Sequence, residues 1–177
     1  MQREIIVFRY GHRTVRDYRV TSHCALVARA FGADKIIICG TKDESVEKSI
    51  NDVSSRWGGK FEVKFAEEWK KELGELRRNG FKLVHLTMYG ERIEKIEKKI
   101  RMFKKVVVIV GSQKVEREIY ETADFNVGVT QQPHSEIAAL AVFLDRLQSG
   151  KELYKKFKDA KIRIKPSKKS KDIISLK

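Results

Sequence analysis

The chain has 177 residues, 41% of them hydrophobic and 35% charged, enough for one domain with a buried core and too apolar for a disordered segment. No apolar run approaches the roughly 18 residues of a membrane span, and charges interrupt MQREIIVFRYGHR where a signal peptide keeps its apolar centre, so a soluble, intracellular, cytoplasmic protein is expected. The net charge of +14 is uneven: residues 150–177 carry eleven Lys or Arg against three acids, which points to a polyanion and, without an amphipathic apolar face, away from a membrane surface.

The pattern alternates along the chain. Glu4 to Arg9 reads as a strand, and Ser22 to Phe31 as a helix ended by Gly32. Lys35 to Cys39 is a second strand, and Asp43 or Ser45 caps a helix to about Trp57. Gly58-Gly59 turns into a strand over Phe61 to Phe65, and Glu67 to about Arg78 is helical up to Asn79-Gly80. A fourth strand, Phe81 to Met88, precedes Tyr89-Gly90 and a charged helix from Glu91 to Phe103. Lys105 to Val110 is the fifth strand, followed by Gly111-Ser112 and a short helix near Glu116 to Thr122. Asn126 to Val129 is the sixth, and after the loop Thr130 to His134, Ser135 caps a long apolar helix to Leu147. Helix-length connectors exclude hairpins, so the sheet is mainly parallel with helices on both faces. The domain is expected to cover residues 1–150, with 151–177 a basic extension holding a helix to about Phe157 and a short strand in KIRIK.

Three loops follow strands four, five and six: Thr87 to Gly90, Gly111 to Lys114, and Val129 to His134. At one edge of a parallel sheet they describe a pocket of backbone donors and acceptors, suited to a small neutral or zwitterionic cofactor with an adenine ring. A phosphate pocket is not indicated, because GTKDES is no Walker A loop and there is no GxGxxG. A basic cluster near the N-terminus, Arg9, His12, Arg13, Arg16, Asp17, Arg19, His23 and Arg29, surrounds Tyr10 and Tyr18, a combination that suits phosphates and unstacked bases of single-stranded RNA. Arg29 interrupts the apolar segment ALVARAF and therefore needs an anionic or hydrogen-bonding partner. His85 reads as a core histidine, Cys24 and Cys39 as buried thiols, and no His, Cys or carboxylate spacing around His134 supports a metal.

GHRTVRDYRVTSHCALVARAFGA, HLTMYG, VGSQKV and QQPHSEIAALAVFLDRL occur in this order, and together they resemble the archaeal tRNA (cytidine-56) 2′-O-methyltransferase family of the SPOUT superfamily. The resemblance spans Glu4 to Gly150. It implies a six-stranded α/β sheet with a C-terminal deep trefoil knot, a homodimer, S-adenosyl-L-methionine (AdoMet) as cofactor, tRNA as substrate, and no metal. Matched by motif, the cofactor residues are Leu86, then Gly111, Ser112, Gln113, Lys114 and Val115, then Val129, Thr130, Gln131, Gln132, Pro133, His134, Ser135 and Glu136. Gln113 stands where the superfamily usually has an acid, and Glu136 is the candidate to supply the missing carboxylate. Arg13, Arg16, Arg19 and His23 are expected to hold the RNA, with the C-terminal lysines. Arg29 matches the first-helix arginine assigned to the ribose 2′-hydroxyl. A guanidinium keeps its proton to beyond about pH 12, so its implied part is to orient the nucleophile and stabilise a developing alkoxide. The alternatives are methylation at another RNA position and non-catalytic RNA binding by the same fold.

Overall fold

The continuous apolar runs form strands buried on both faces. The computed structural model describes residues 3–111 and 115–176. It places β1 (Glu4–His12), β2 (Lys35–Gly40), β3 (Glu62–Ala66), β4 (Lys82–Arg92), β5 (Lys105–Gly111) and β6 (Phe125–Gly128) in one sheet, ordered β3-β2-β1-β5-β4-β6. Every pairing is parallel. Helices α1 (Thr14–Ala30), α2 (Glu44–Trp57), α3 (Trp69–Arg78), α4 (Ile93–Ile100), α5 (Arg117–Thr122) and α6 (Glu136–Gln148) connect the strands and close the chain over them.

Alternate residues of each strand face opposite sides, so the core has two layers. Ile5, Val7, Ile36, Ile38, Val106 and Val108 pack with α1, α2, α4 and α6. Ile6, Phe8, Ile37, Val107 and Ile109 pack with Leu73 and Leu76 of α3 and Ile119 of α5. Burying each such side chain stabilises the fold by about 2 kcal/mol. Cys24 and Cys39 are buried free thiols, as expected. His85 lies in the core beneath Tyr120, its Nδ1 2.9 Å from Asn126 Oδ1, and burial lowers its pKa. Among the described residues no helix is long and apolar enough to cross a membrane.

Three boundaries differ from the sequence expectation. Helix α1 starts at Thr14, eight residues before Ser22, because Asp17 reaches back to accept from the Arg13 backbone N–H (3.1 Å). Its buried stripe begins with polar residues, Asp17 and Thr21, which hid the helical period from an apolar count. β4 runs on to Arg92: Leu86 and Glu91 both oppose Val127, and the four residues between them loop out of the ladder. The extension makes a 3₁₀ turn at Lys151–Tyr154 where a longer helix was expected, then an antiparallel hairpin of β7 (Ile162–Lys165) and β8 (Asp172–Ser175). The KIRIK strand was legible; its partner DIIS is too short and polar-flanked to stand out.

Candidate functional site

Parallel pairing brings the ends of β4, β5 and β6 to the carboxyl edge of the sheet, beside the end of β1. Leu86, Thr87 and Met88 from β4, Val127 from β6 and Val129 just after it, and His134, Glu136 and Ala139 from the loop and start of α6 line a cavity of about 140 Å³. Its wall is apolar, with Thr87, His134 and Glu136 as polar points. Ligand pockets are commonly about 300–1,000 Å³, so these residues form one part of a larger site. Ser112, Gln113 and Lys114 lie outside the described residues. Val115 packs against the second core layer, and Glu116 accepts a hydrogen bond from the Tyr10 hydroxyl (2.7 Å). Burial and that carboxylate push the Tyr10 pKa up to about 12.

The sequence places a charge, Arg9, at the end of an apolar strand, and it is fully buried. Its Nη1 donates to the Gly111 carbonyl (2.6 Å) and its Nη2 to Glu136 Oε1 (3.2 Å). One side chain thus ties β1 to the last residue of β5 and to the first residue of α6. Sequence reasoning placed Arg9 only in the basic cluster. The signal that could have found its role is the burial an EIIVFR strand imposes on its last residue, since a buried cation needs a partner. Glu136 is therefore a carboxylate at a helix N-terminus, already balanced by a buried guanidinium.

The remaining lip is local turn chemistry. Ser135 caps α6 by accepting from Ile137 N–H (3.1 Å), as its position suggested. The Gln132 N–H donates to Thr130 Oγ1, His134 Nδ1 lies 2.8 Å from the Gln132 carbonyl, and Gln131 Nε2 reaches Gly90 O at 3.5 Å. Gln131 through Ser135, Pro133 included, are exposed. Gly90 is held close to β6: a Cβ there would stand 2.5 Å from the Asn126 carbonyl carbon. No cluster of three His, Cys, Asp or Glu side chains suited to a metal occurs among the described residues.

Helix α1 begins at the same edge. Arg16, Arg19 and His23 are exposed on it, while Arg13 is pinned to Asp17 (3.1 Å). Just before it, buried His12 sits 2.8 Å from Thr21 Oγ1 and 3.5 Å from Asp43 Oδ2; burial lowers its pKa, with Asp43 opposing. The expected RNA-binding residues thus run from the N-cap of α1, Arg13, to His23 near its middle, on the helix that begins beside this cavity. The same chain does not bring Arg29 there. Arg29 lies at the other end of α1, donating Nη2 to the Gly58 carbonyl (2.5 Å), with its guanidinium 4.8 Å from the Phe157 ring. Its neighbours Ala33, Asp34 and Phe61 precede β2 and β3, so it marks the opposite edge of the sheet. Six residues of β2 separate the edges by roughly 20 Å.

Residues 57–174 match the family model described as tRNA ribose 2′-O-methyltransferase, aTrm56. A tRNA (cytidine(56)-2′-O)-methyltransferase of Thermococcus kodakarensis is 51% identical over 180 residues, covering 99% of this chain and 99% of the relative. Among solved structures, the A. aeolicus TrmH/SpoU tRNA modifying enzyme superposes with a TM-score of 0.61 at 19% identity, covering 86% of this chain and 78% of the other. The SpoU methyltransferase AviRb from Streptomyces viridochromogenes, solved with AdoMet, gives 0.58 at 15% identity, over 84% of this chain and 58% of that protein's length. At such identities the two structures speak to the fold, which is that of the SPOUT enzymes.

Proposed function

The chain belongs to the tRNA ribose 2′-O-methyltransferase family, and from this premise we infer that it methylates the ribose 2′-oxygen of cytidine 56 in tRNA, with AdoMet as donor. The observation that carries the reading is the convergence of Leu86, Val129 and Glu136, from three segments far apart in sequence, on one cavity at the carboxyl edge. The cavity's chemistry fits the donor. Leu86, Val127, Val129 and Ala139 offer an apolar wall to an adenine ring, and the loop backbone offers hydrogen bonds to its polar rim. Glu136 offers a cationic ligand a carboxylate that also pairs with the buried Arg9 guanidinium at 3.2 Å. Gly111 to Val115 and Thr130 to Ser135 complete this set of holders.

Bound AdoMet supplies a methyl group on an electrophilic sulfonium. The protein's own task is to position the ribose hydroxyl and keep water out. Arg13, Arg16, Arg19 and His23, on the helix that starts beside the cavity, hold the RNA there. Arg29, at the far edge, takes part in the reaction only if a second chain carries it to the site. The reading includes a homodimer, a domain over residues 1–150 with 151–177 as an RNA-facing extension, and cytoplasmic residence with its substrate. It also includes a trefoil knot. In its support, β6 returns beside β4 after β5 has taken the place next to β1, and α6 then packs across α1.

Incubation with labelled AdoMet and tRNA transcripts tests the reading. We expect label on the transcript with cytidine at position 56 and none when uridine replaces it. Equal labelling of both would assign another RNA position, and tight tRNA binding without transfer would leave a non-catalytic RNA-binding protein.

A further inference from the structure

A hollow that the cofactor reading does not use lies at the amino edge of the sheet. Its volume is about 490 Å³, within the range of ligand sites. Arg29, Lys60, Lys155, Lys156 and Lys158 line it against two acids, Asp34 and Asp159, and the rings of Phe61 and Phe157 form its apolar wall. Arg29 is 7% exposed and has no carboxylate within ion-pair distance among the described residues. Of its five N–H groups, one donates to Gly58 O, and Nε is buried with no acceptor. A desolvated guanidinium with donors to spare is an incomplete anion site. Burial lowers its pKa only from the very high arginine value, so it stays charged at neutral pH.

The hollow is built rather than accidental. The Gly59 N–H donates to the Lys158 carbonyl (2.7 Å), and a Cβ on Gly58 would run into the backbone of Lys158 and Ala160. Both glycines have positive φ, +76° and +79°, which side chains rarely adopt. The α2–β3 turn and the extension are thereby fused, and the segment 155–159 is held with its lysines around Arg29. Lys155 Nζ is committed to the Gly32 carbonyl (3.2 Å), while Lys60, Lys156 and Lys158 form no ion pair with a described acid.

We propose that this hollow is a second RNA contact, taking a backbone phosphate of the tRNA, with Arg29 as its buried donor and Lys60, Lys156 and Lys158 as its rim. The proposal rests on the tRNA reading and deepens it: the substrate is gripped at both edges of the sheet, roughly 20 Å apart. Arg29 is then a binding residue.

The test is tRNA affinity of the full chain across a salt series, for wild type, Arg29→Gln, the double variant Lys156→Gln/Lys158→Gln, and Lys98→Gln on the outer face of α4 as control. We expect the double variant to bind tRNA about 10-fold more weakly and to lower the salt slope by about 0.8, since one lost phosphate contact removes about 0.7–0.9. Arg29→Gln should raise the tRNA concentration for half-maximal rate while AdoMet affinity and kcat are retained. Unchanged affinity and slope in the double variant, whose side chains do not support the fold, would overturn the site even if Arg29→Gln fails to fold. A collapse of kcat in Arg29→Gln at unchanged tRNA affinity would overturn it too, returning Arg29 to the reaction. Failure of the functional reading is a separate result: wild type would transfer no methyl to tRNA, while the lysine variants still lost affinity.

Discussion

Arg9 has no water to fall back on, so whatever is done to Glu136 is felt by a buried charge. Glu136→Gln keeps the shape but removes the carboxylate that pairs with Arg9. Because Glu136 is about one-third exposed, the cost should fall below that of a wholly buried pair, about 1–3 kcal/mol, read by chemical denaturation. AdoMet affinity should fall about 10-fold in the same variant, and unchanged affinity would remove Glu136 from the cofactor site. A second residue-level expectation concerns His12 and His85, both held neutral chiefly by burial and both with pKa lowered from 6.5. The unfolded chain takes up these protons first as pH drops, so their contribution is complete above about pH 6.5 and declines below it. Thermal melts should show Tm falling from pH 7 to 5, and His85→Gln, which keeps a donor for Asn126, should flatten that fall.

At the scale of elements, α1 decides whether the arginines near its start form a surface or a loose loop. Asp17, buried and bonded to both the backbone and Nε of Arg13, is the device that begins the helix. Asp17→Ala should cost about 1 kcal/mol, as for a lost cap, and weaken tRNA binding several-fold as Arg13 and Arg16 lose their places. Circular dichroism with filter binding would show both, and tRNA affinity that survives the loss of helix would mean those arginines do not act from an ordered face. This start was illegible because Asp17 and Thr21 occupy its buried stripe. The strands were legible, and so was the meeting of the loops that follow them at one edge, since IIIC and VVVIV mark doubly covered strands and parallel order brings their ends together. What sequence could not show is depth along the fold. Arg29 and Arg16 sit on one helix in one basic segment, yet the 17-residue length of α1 places them near opposite ends of it and at opposite edges of the sheet.

For the whole molecule, charge and apolar exposure pull in opposite directions. Val15, Tyr18 and Leu26 stand exposed on α1 and Val142 on α6, two helices that pack together, so their outer surface is one an identical chain can cover. Each copy, however, carries a net charge of +14, and bringing two together costs repulsion that salt screens over about 8 Å at physiological strength. Dimerisation and tRNA binding should therefore respond to salt with opposite signs. Between 50 and 500 mM salt, sedimentation should show the dimer tightening or holding, while tRNA affinity falls steeply because the counterion release that drives binding becomes less favourable. Leu26→Glu combined with Val142→Glu should give a folded monomer at every salt concentration. If each site needs both chains, that monomer loses methyl transfer by at least about 100-fold; a monomer that retained full activity would show that one chain holds the whole reaction, and the search for the group that orients the ribose hydroxyl would narrow to Arg13, Arg16, Arg19 and His23.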